Sequence, residues 1–291
     1  MKFGLTMPNW AGSPDARVLA DLAAEAEAAG WHGFFIWDHV FHEFPVLDPW
    51  VALTAVALRT THIHLGALVT PIARRRPIKL ARETVTLDHL SGGRLIVGVG
   101  IGDGPWEWDY LGEEPSHKVR GDMLDEGLAL LDACWQDGRL RHHGPHYRAA
   151  FTDEADGDLL FYPGSCQQPR IPVWVAGTWP NKRPFRRAAQ WDGVFPLKVG
   201  FGPLTPAEVT DLTAYIRQHR TGGEPFDVVV SGWSPGDEQE TAVAQVQRMA
   251  AVGATWWLES LDPWRYGWQM GSPDWPLADI RRRIRQGPPA G

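Results

Sequence analysis

Residues 62–102 read HIHLGALVTPIARRRPIKLARETVTLDHLSGGRLIVGVGIG, and three patterns follow one another in them. His62–Thr70 alternates and then runs continuously apolar, which predicts a short strand. Pro77–Gly93 has helical spacing, opens on proline and stops on a glycine pair. Arg94–Gly102 is again short, β-branched and apolar. The unit is strand, helix, strand, and apolar runs without strict alternation belong to a parallel sheet buried on both faces. The fold depends on how often the unit repeats.

It repeats along the whole chain. Strands are predicted at Lys2–Pro8, Gly33–Trp37, His62–Thr70, Arg94–Gly102, Ile171–Gly177, Gly193–Leu197, Phe226–Gly232 and Ala254–Ser260. Helical patterns follow them: Pro14–Gly30, with Ser13 as N-cap, Pro49 to about Thr60 after Asp48, and Pro77–Gly93. Further ones run from about His117 to Gln136, Arg183 to Gln190, Thr205-Pro206 to Arg220, Glu238 to Val252 and Leu277 to Arg285. Eight strands, each followed by helical sequence, predict an α/β fold of the (β/α)₈ TIM-barrel type in one domain, residues 1–291. A doubly wound open sheet is the rival, but no nucleotide fingerprint follows the first strand. Residues 138–170 are polar, rich in His, Asp and Pro, and break the rhythm after the fourth βα unit. They read as an insertion over one rim of the fold that could serve as a lid.

Composition narrows the function classes. The chain has 291 residues, 44% hydrophobic, with net charge -7 and with no basic tract and no acidic tail expected to bind a partner. That argues against nucleic-acid and anionic-membrane partners. Cys134 and Cys166 fit no zinc spacing and read as thiols of a reducing compartment. No leader pattern and no long apolar run is visible, so a cytoplasmic location is expected. Sixteen tryptophans are unusual and fill core or line a large apolar pocket.

A barrel of this kind carries its site at the C-terminal strand ends. The residues there are Pro8 and Asn9, Asp38 and His39, Thr70 and Pro71, Gly100, Gly102 and Asp103, then Ala176 to Trp179, Lys198, Ser231 and Gly232, and Glu259 and Ser260. No metal spacing, nucleophile elbow or Schiff-base lysine other than Lys198 stands out. His62-x-His64 falls at a strand start, and Arg141–His146, RHHGPH, reads as a solvated loop. Glycine-rich strand ends let backbone N–H groups approach a phosphate or a ring edge, so a planar cofactor is one reading and tight strand packing the other.

On these residues the chain resembles the luciferase-like monooxygenase superfamily of flavin- and deazaflavin-dependent oxidoreductases. The phrase TLDHLSGGR followed by GVGIG carries most of the resemblance. AAEAEAAGWHGFFIWDH, Arg120 with Glu126, and Trp174–Pro196 support it. The resemblance implies a bacterial-luciferase-like barrel with an isoalloxazine or deazaisoalloxazine ring across its mouth, backed by Val69 and Thr70. It implies phosphate contacts from Gly100, Gly102, Gly177, Thr178 and Arg120, with Asp103, Ala176, Trp179 and Lys198 beside them as further cofactor contacts.

The Asp38-His39 pair at the second strand end matches the branch using F420, so F420 is expected ahead of FMN. His39 is then the proton-transfer residue, and Asp38 fixes its tautomer or binds the ring. F420-dependent sugar-phosphate dehydrogenases carry a glutamate soon after strand four; this chain departs from them with DGPWEWDY at that place, where Glu107 is the candidate for it. Trp10, Trp37, Trp106, Trp108 and Trp264, with Trp179 and Trp268 nearby, are expected to form an apolar, aromatic substrate pocket. The implied activity is hydride transfer between F420 and a small apolar or aromatic molecule. FMNH2- and O2-dependent monooxygenation is the alternative, and a non-catalytic flavin-binding relative a remote one. Implied partners are a second copy of the chain, through helices near the second and third strands, and a separate reductase supplying reduced cofactor.

Overall fold

The eightfold repeat closes into a ring. The computed structural model describes residues 1–10, 12, 15–42, 45–136, 139–149, 159–200, 202–269, 272 and 274–289. Eight parallel strands form the wall: β1 Lys2–Met7, β2 Gly33–Ile36, β3 His64–Ala67, β4 Val97–Gly100, β5 Val173–Trp179, β6 Gly193–Lys198, β7 Asp227–Gly232 and β8 Trp256–Ser260. Each strand pairs with its sequence neighbours, and β1 pairs with β8 (Phe3 opposite Trp257). The ring closes where Leu65 pairs with Leu95 and where Thr70–Pro71, a continuation of β3, lies beside Val99–Gly100. Closure brings two backbones close: a Cβ on Gly66 would collide with the Ile96 carbonyl, which accounts for that glycine.

Two departures from the predicted strands matter for the site. The third strand does not run unbroken to Thr70. It stops at Ala67, the Leu68–Val69 peptide is cis, and pairing resumes at Thr70. β5 runs two residues beyond its predicted end, because Trp179 is in register with Lys198 of β6.

The helices form the outer layer: α1 Ala16–Ala28, α2 Pro49–Arg59, α3 Pro77–Ser91, α4 His117–Trp135, α5 Lys182–Ala188, α6 Pro206–His219, α7 Gln239–Ala251 and α8 Leu277–Arg285. Their ends follow local chemistry. Asp48 caps α2 by accepting from the N–H groups of Trp50 and Val51, with Pro49 in the first turn. Thr205 and Glu208 form a reciprocal capping box on α6. α3 ends at Gly92 in the left-handed region, φ 66°. The cap of α1 is Asp15, which accepts from Arg17 N; Ser13 and Pro14 lie outside the described residues.

The barrel interior is filled by Phe35, Leu68, Ile96, Trp174, Phe195, Val229, Trp256 and Leu258. Trp174 and Trp256 meet at 5.1 Å between centroids, so part of the tryptophan excess is core. Above this layer, toward the C-terminal strand ends, Val69, Ala176 and Leu197 are only partly covered and make an apolar floor. At the opposite end a concavity of about 430 Å³ is lined by Lys2, Glu27, Trp31, His32, His62 and His64, among others.

The described parts of 138–170 pack against α3 and α4. Glu126 accepts from the N–H groups of His146 and Tyr147 and pairs with His142 at 2.8 Å. Asp88 accepts from Cys166 N and Gln167 Nε2. Residues 138 and 150–158, where a lid would have its tip, lie outside the described residues. Among the described residues no three His, Cys, Asp or Glu side chains converge on a metal-sized site, and no helix is long and apolar enough to cross a membrane.

Candidate active site

Four loops at the C-terminal strand ends meet over β2. The loop after β1 supplies Asn9, whose side-chain amide donates to the carbonyls of His39 (2.7 Å) and Leu47 (2.6 Å) and so holds the loop after β2. That loop supplies Asp38 and His39. The turn Ile72–Arg74, a single 3₁₀ turn, supplies Arg74 and the following Arg75. A second 3₁₀ turn, Pro105–Glu107, is entered through Gly104 at φ 76° and turns Glu107 inward.

The Asp38 carboxylate is fully buried. It accepts from Thr70 Oγ1 at 2.8 Å, from Arg75 Nη2 at 2.7 and 2.9 Å, and from Arg74 Nη2 at 3.0 Å. Glu107 is equally buried. Its Oε1 accepts from Val40 N at 2.8 Å and Phe41 N at 3.3 Å. Its Oε2 accepts from Arg74 Nη1 at 2.7 Å and lies 3.2 Å from His39 Nδ1. Burial alone would raise the Glu107 carboxyl. The His39 hydrogen bond, the Arg74 charge and the Val40 N–H outweigh it and bring the pKa down to about 2. Glu107 is therefore an anion at neutral pH. The His39 side chain is 22% exposed, and its Nε2 has no protein partner among the described residues.

This arrangement corrects one expectation. Asp38 does not orient His39. Consecutive side chains in extended chain point apart, and Asp38 turns to Arg74, Arg75 and Thr70. Glu107 from the β4 loop holds the imidazole instead. Thr70 is buried in the same contact and Val69 alone of that pair faces the mouth, half-buried.

The glycine-rich strand ends are accounted for by packing. A Cβ on Gly100 would meet the Val69 side chain at 2.8 Å, and one on Gly177 or Gly102 would collide with Pro184 or with the Trp108 indole. Thr178 and Ala176 are half-buried at the mouth, and Asp103 is exposed. Lys198 is paired with Glu208 at 3.0 Å. Trp179 faces the outer layer, 5.0 Å from Phe185 and under the Lys182 ammonium at 3.7 Å, so it is not part of the mouth.

Arg120 is different. It is 2% exposed and stacked on Trp108 at 3.8 Å, and its Nε and Nη1 have no hydrogen-bond partner among the described residues. Burial pulls its pKa down, while Asp103, Asp109 and Glu114 push it up. A buried guanidinium with open donors is costly unless an anion completes it. That fits a phosphate, and the half-buried floor of Val69, Ala176 and Leu197 fits the apolar edge of a ring.

The predicted tryptophan pocket divides. Trp37 and Trp264 lie parallel, 6.2 Å apart, and Trp10 packs edge-on against both. The wall continues through His39, His42 and Trp106 on one side, and through Trp268 and Trp275 on the other. Trp37, Trp106 and Trp264 are partly open, whereas Trp10 is a buried support. Trp108 is fully buried beneath Arg120 and so is not a pocket residue. Sequence reasoning missed Arg74, Arg75 and His42. The signal was there: Arg74–Arg76 is a basic run at a strand end, and buried acids at neighbouring ends need counter-charges.

A family model described as luciferase-like monooxygenase matches residues 1–280. An F420-dependent glucose-6-phosphate dehydrogenase of Mycobacterium avium is 35% identical over 158 residues, 50% of this chain and 46% of that protein. The oxygenase component of a flavin-dependent trigonelline monooxygenase from Acinetobacter baylyi is 27% identical over 168 residues, 57% of this chain and 44% of that protein. The chain spans about half the length of the curated relatives it matches. Two solved structures share the fold. An F420-dependent secondary alcohol dehydrogenase in complex with an F420–acetone adduct superposes with TM-score 0.73 at 15% identity, over 98% of this chain and 96% of that one. Monooxygenase RslO1 from Streptomyces bottropensis gives 0.71 at 21%, over 98% and 97%. With the family model matching almost the whole of this barrel, the chain belongs to the luciferase-like monooxygenase family.

Proposed function

We propose that the chain is an oxidoreductase that moves hydride between F420 and a small molecule with an apolar or aromatic body, at the C-terminal mouth of the barrel. The observation that carries this reading is His39: partly exposed, held at Nδ1 by a buried carboxylate, and open at Nε2 among the described residues. Arg120 would hold a cofactor phosphate, and Val69, Ala176 and Leu197 would lie under the ring. When bound, F420 supplies the two-electron hydride chemistry.

The protein handles the proton. As hydride leaves a substrate carbon, His39 Nε2 takes the hydroxyl proton, and in the reverse direction it returns it. Glu107, anionic at 3.2 Å, stabilises the imidazolium that forms. Trp37, Trp106 and Trp264 cover the substrate and exclude water. The loop is kept in place by Asn9, which bonds the His39 and Leu47 carbonyls, so the proton carrier does not have to be ordered at each turnover.

A second reading, monooxygenation with reduced FMN and O2, is supported by the identity to the trigonelline monooxygenase component. In that case a separate reductase is the partner. For either reading we infer a homodimer through α2 and α3, where Val51, Leu58 and Leu90 are exposed; light scattering tests it. Titrating the purified protein with F420 and with FMN, read by tryptophan fluorescence, separates the two. Tight binding of F420 and F420-dependent oxidation of a hydrophobic alcohol is the expected result. Binding of FMN alone overturns the F420 reading, and a bound cofactor with no turnover of any alcohol, ketone or aromatic substrate points to a non-catalytic relative.

A further inference from the structure

We infer that Arg74 is the positioning residue that balances the buried charge facing His39 and leaves its Nε2 free to take a proton. Among the described residues its guanidinium is the one group that bonds both buried carboxylates: Nη1 donates to Glu107 Oε2 at 2.7 Å, and Nη2 donates to Asp38 Oδ1 at 3.0 Å and to the Asp38 carbonyl at 2.7 Å. Arg75 reaches only Asp38. The four side chains are 0%, 1%, 4% and 15% exposed for Asp38, Glu107, Arg74 and Arg75. Two anions and two cations therefore share one dry cluster with no net charge.

His39 sits at the edge of that cluster and touches it through a single atom, Glu107 Oε2, which Arg74 also occupies. An oxygen that accepts from a guanidinium remains an acceptor toward the imidazole. The proton of neutral His39 then resides on Nδ1, and Nε2 keeps its lone pair. If Arg74 were absent, the cluster would carry one uncompensated negative charge, and the imidazole would be the nearest group able to cancel it by taking a proton. A protonated His39 at rest could not accept a substrate proton. The other groups around the ring do not replace Arg74. His42 lies at 5.9 Å between centroids, Trp37 packs at 5.9 Å, and Asn9 meets only the His39 backbone. The Asp38 side chain is turned into Thr70 and the two arginines, and Glu43 lies outside the described residues.

The inference rests on reading His39 as the proton carrier, and its test is read in the free protein so that the two can fail separately. Histidine-labelled protein is titrated by NMR, with His39 assigned by its loss in His39→Asn. Arg74→Gln should raise the His39 midpoint by about one pH unit relative to wild type, as loss of a close cation predicts. Arg74→Lys, which keeps the charge, should stay within about 0.3 units, and Glu107→Gln should lower the midpoint. The Arg74→Gln change is also made in the Glu107→Gln background, where the cluster loses one charge of each sign. It should again raise the midpoint, and this pair decides the matter if Arg74→Gln alone does not fold. An unchanged His39 midpoint on losing Arg74 in either folded background overturns the inference. So does an Arg74→Lys midpoint displaced as far as that of Arg74→Gln.

Discussion

Two buried ion clusters stand at the strand ends, and they have nearly the same ingredients. Over β2, Asp38 and Glu107 meet Arg74 and Arg75. At the end of β8, Glu259 meets Arg265 and Arg283. Glu259 also accepts from Ser234 N at 2.9 Å, Ser234 Oγ at 2.6 Å and Trp257 Nε1 at 3.0 Å. Among the described residues the second cluster is closed by protein groups: Arg283 donates to Glu259 at 3.3 Å and to Ser234 Oγ at 3.1 Å, which ties α8 to the barrel, and its Nη1 donates to the Gly287 carbonyl at 2.9 Å. The first cluster is open: Arg74 Nε and Arg75 Nε are buried without a partner among the described residues, and the His39 imidazole is its open end at the surface. The chemistry of a site lies in what a network leaves unpaired at a surface, not in how many charges it buries. A fully closed network is a clamp.

The largest effect expected from breaking this contrast is on stability. Glu259→Ala strands two buried arginines and should cost about 3–5 kcal/mol in urea unfolding, with little specific effect on cofactor affinity in the protein that remains folded. The converse variant is His39→Ala. It should leave unfolding within about 1 kcal/mol of wild type and cofactor binding intact, yet lower turnover by about 100-fold or more. Equal turnover in this variant would remove the proton-transfer role.

A third test uses pH. The Glu107 carboxyl is depressed from 4.5 to about 2 in the folded chain, so the unfolded chain binds the extra proton between those values. The stabilisation is present above pH 4.5 and is lost as pH falls toward 2. It amounts to roughly 3 kcal/mol for a shift of this size. Glu107→Gln should flatten the acid limb of stability against pH by that order; an unchanged limb would mean that Glu107 is not held as an anion. The smallest effect is at Gly102→Ala. The residue sits at φ 76° and its new Cβ would press on Trp108 beneath Arg120. A loss of about 1–2 kcal/mol in thermal unfolding is expected, with weakened phosphate binding.

The parts of this molecule that sequence determined are those whose causes are local. Asp48-Pro49 and Thr205-Pro206 with Glu208 start helices through contacts a few residues long, and the predicted and observed starts agree. The short apolar runs announced eight strands because burial on both faces leaves no room for alternation. His39 was found because it follows a strand, and a strand end has a defined place in a barrel. What tertiary structure alone decided is which groups meet. Glu107 lies 68 residues from His39, and Arg74 lies 36 from Asp38. Nothing in either segment names the other, and the neighbouring Asp38 was the more obvious partner until backbone geometry turned it away. Side-chain direction decided the tryptophans in the same way. Trp106 and Trp108 are two residues apart, yet one borders the mouth and the other lies under Arg120, because the turn at Pro105–Glu107 rotates successive side chains onto different faces.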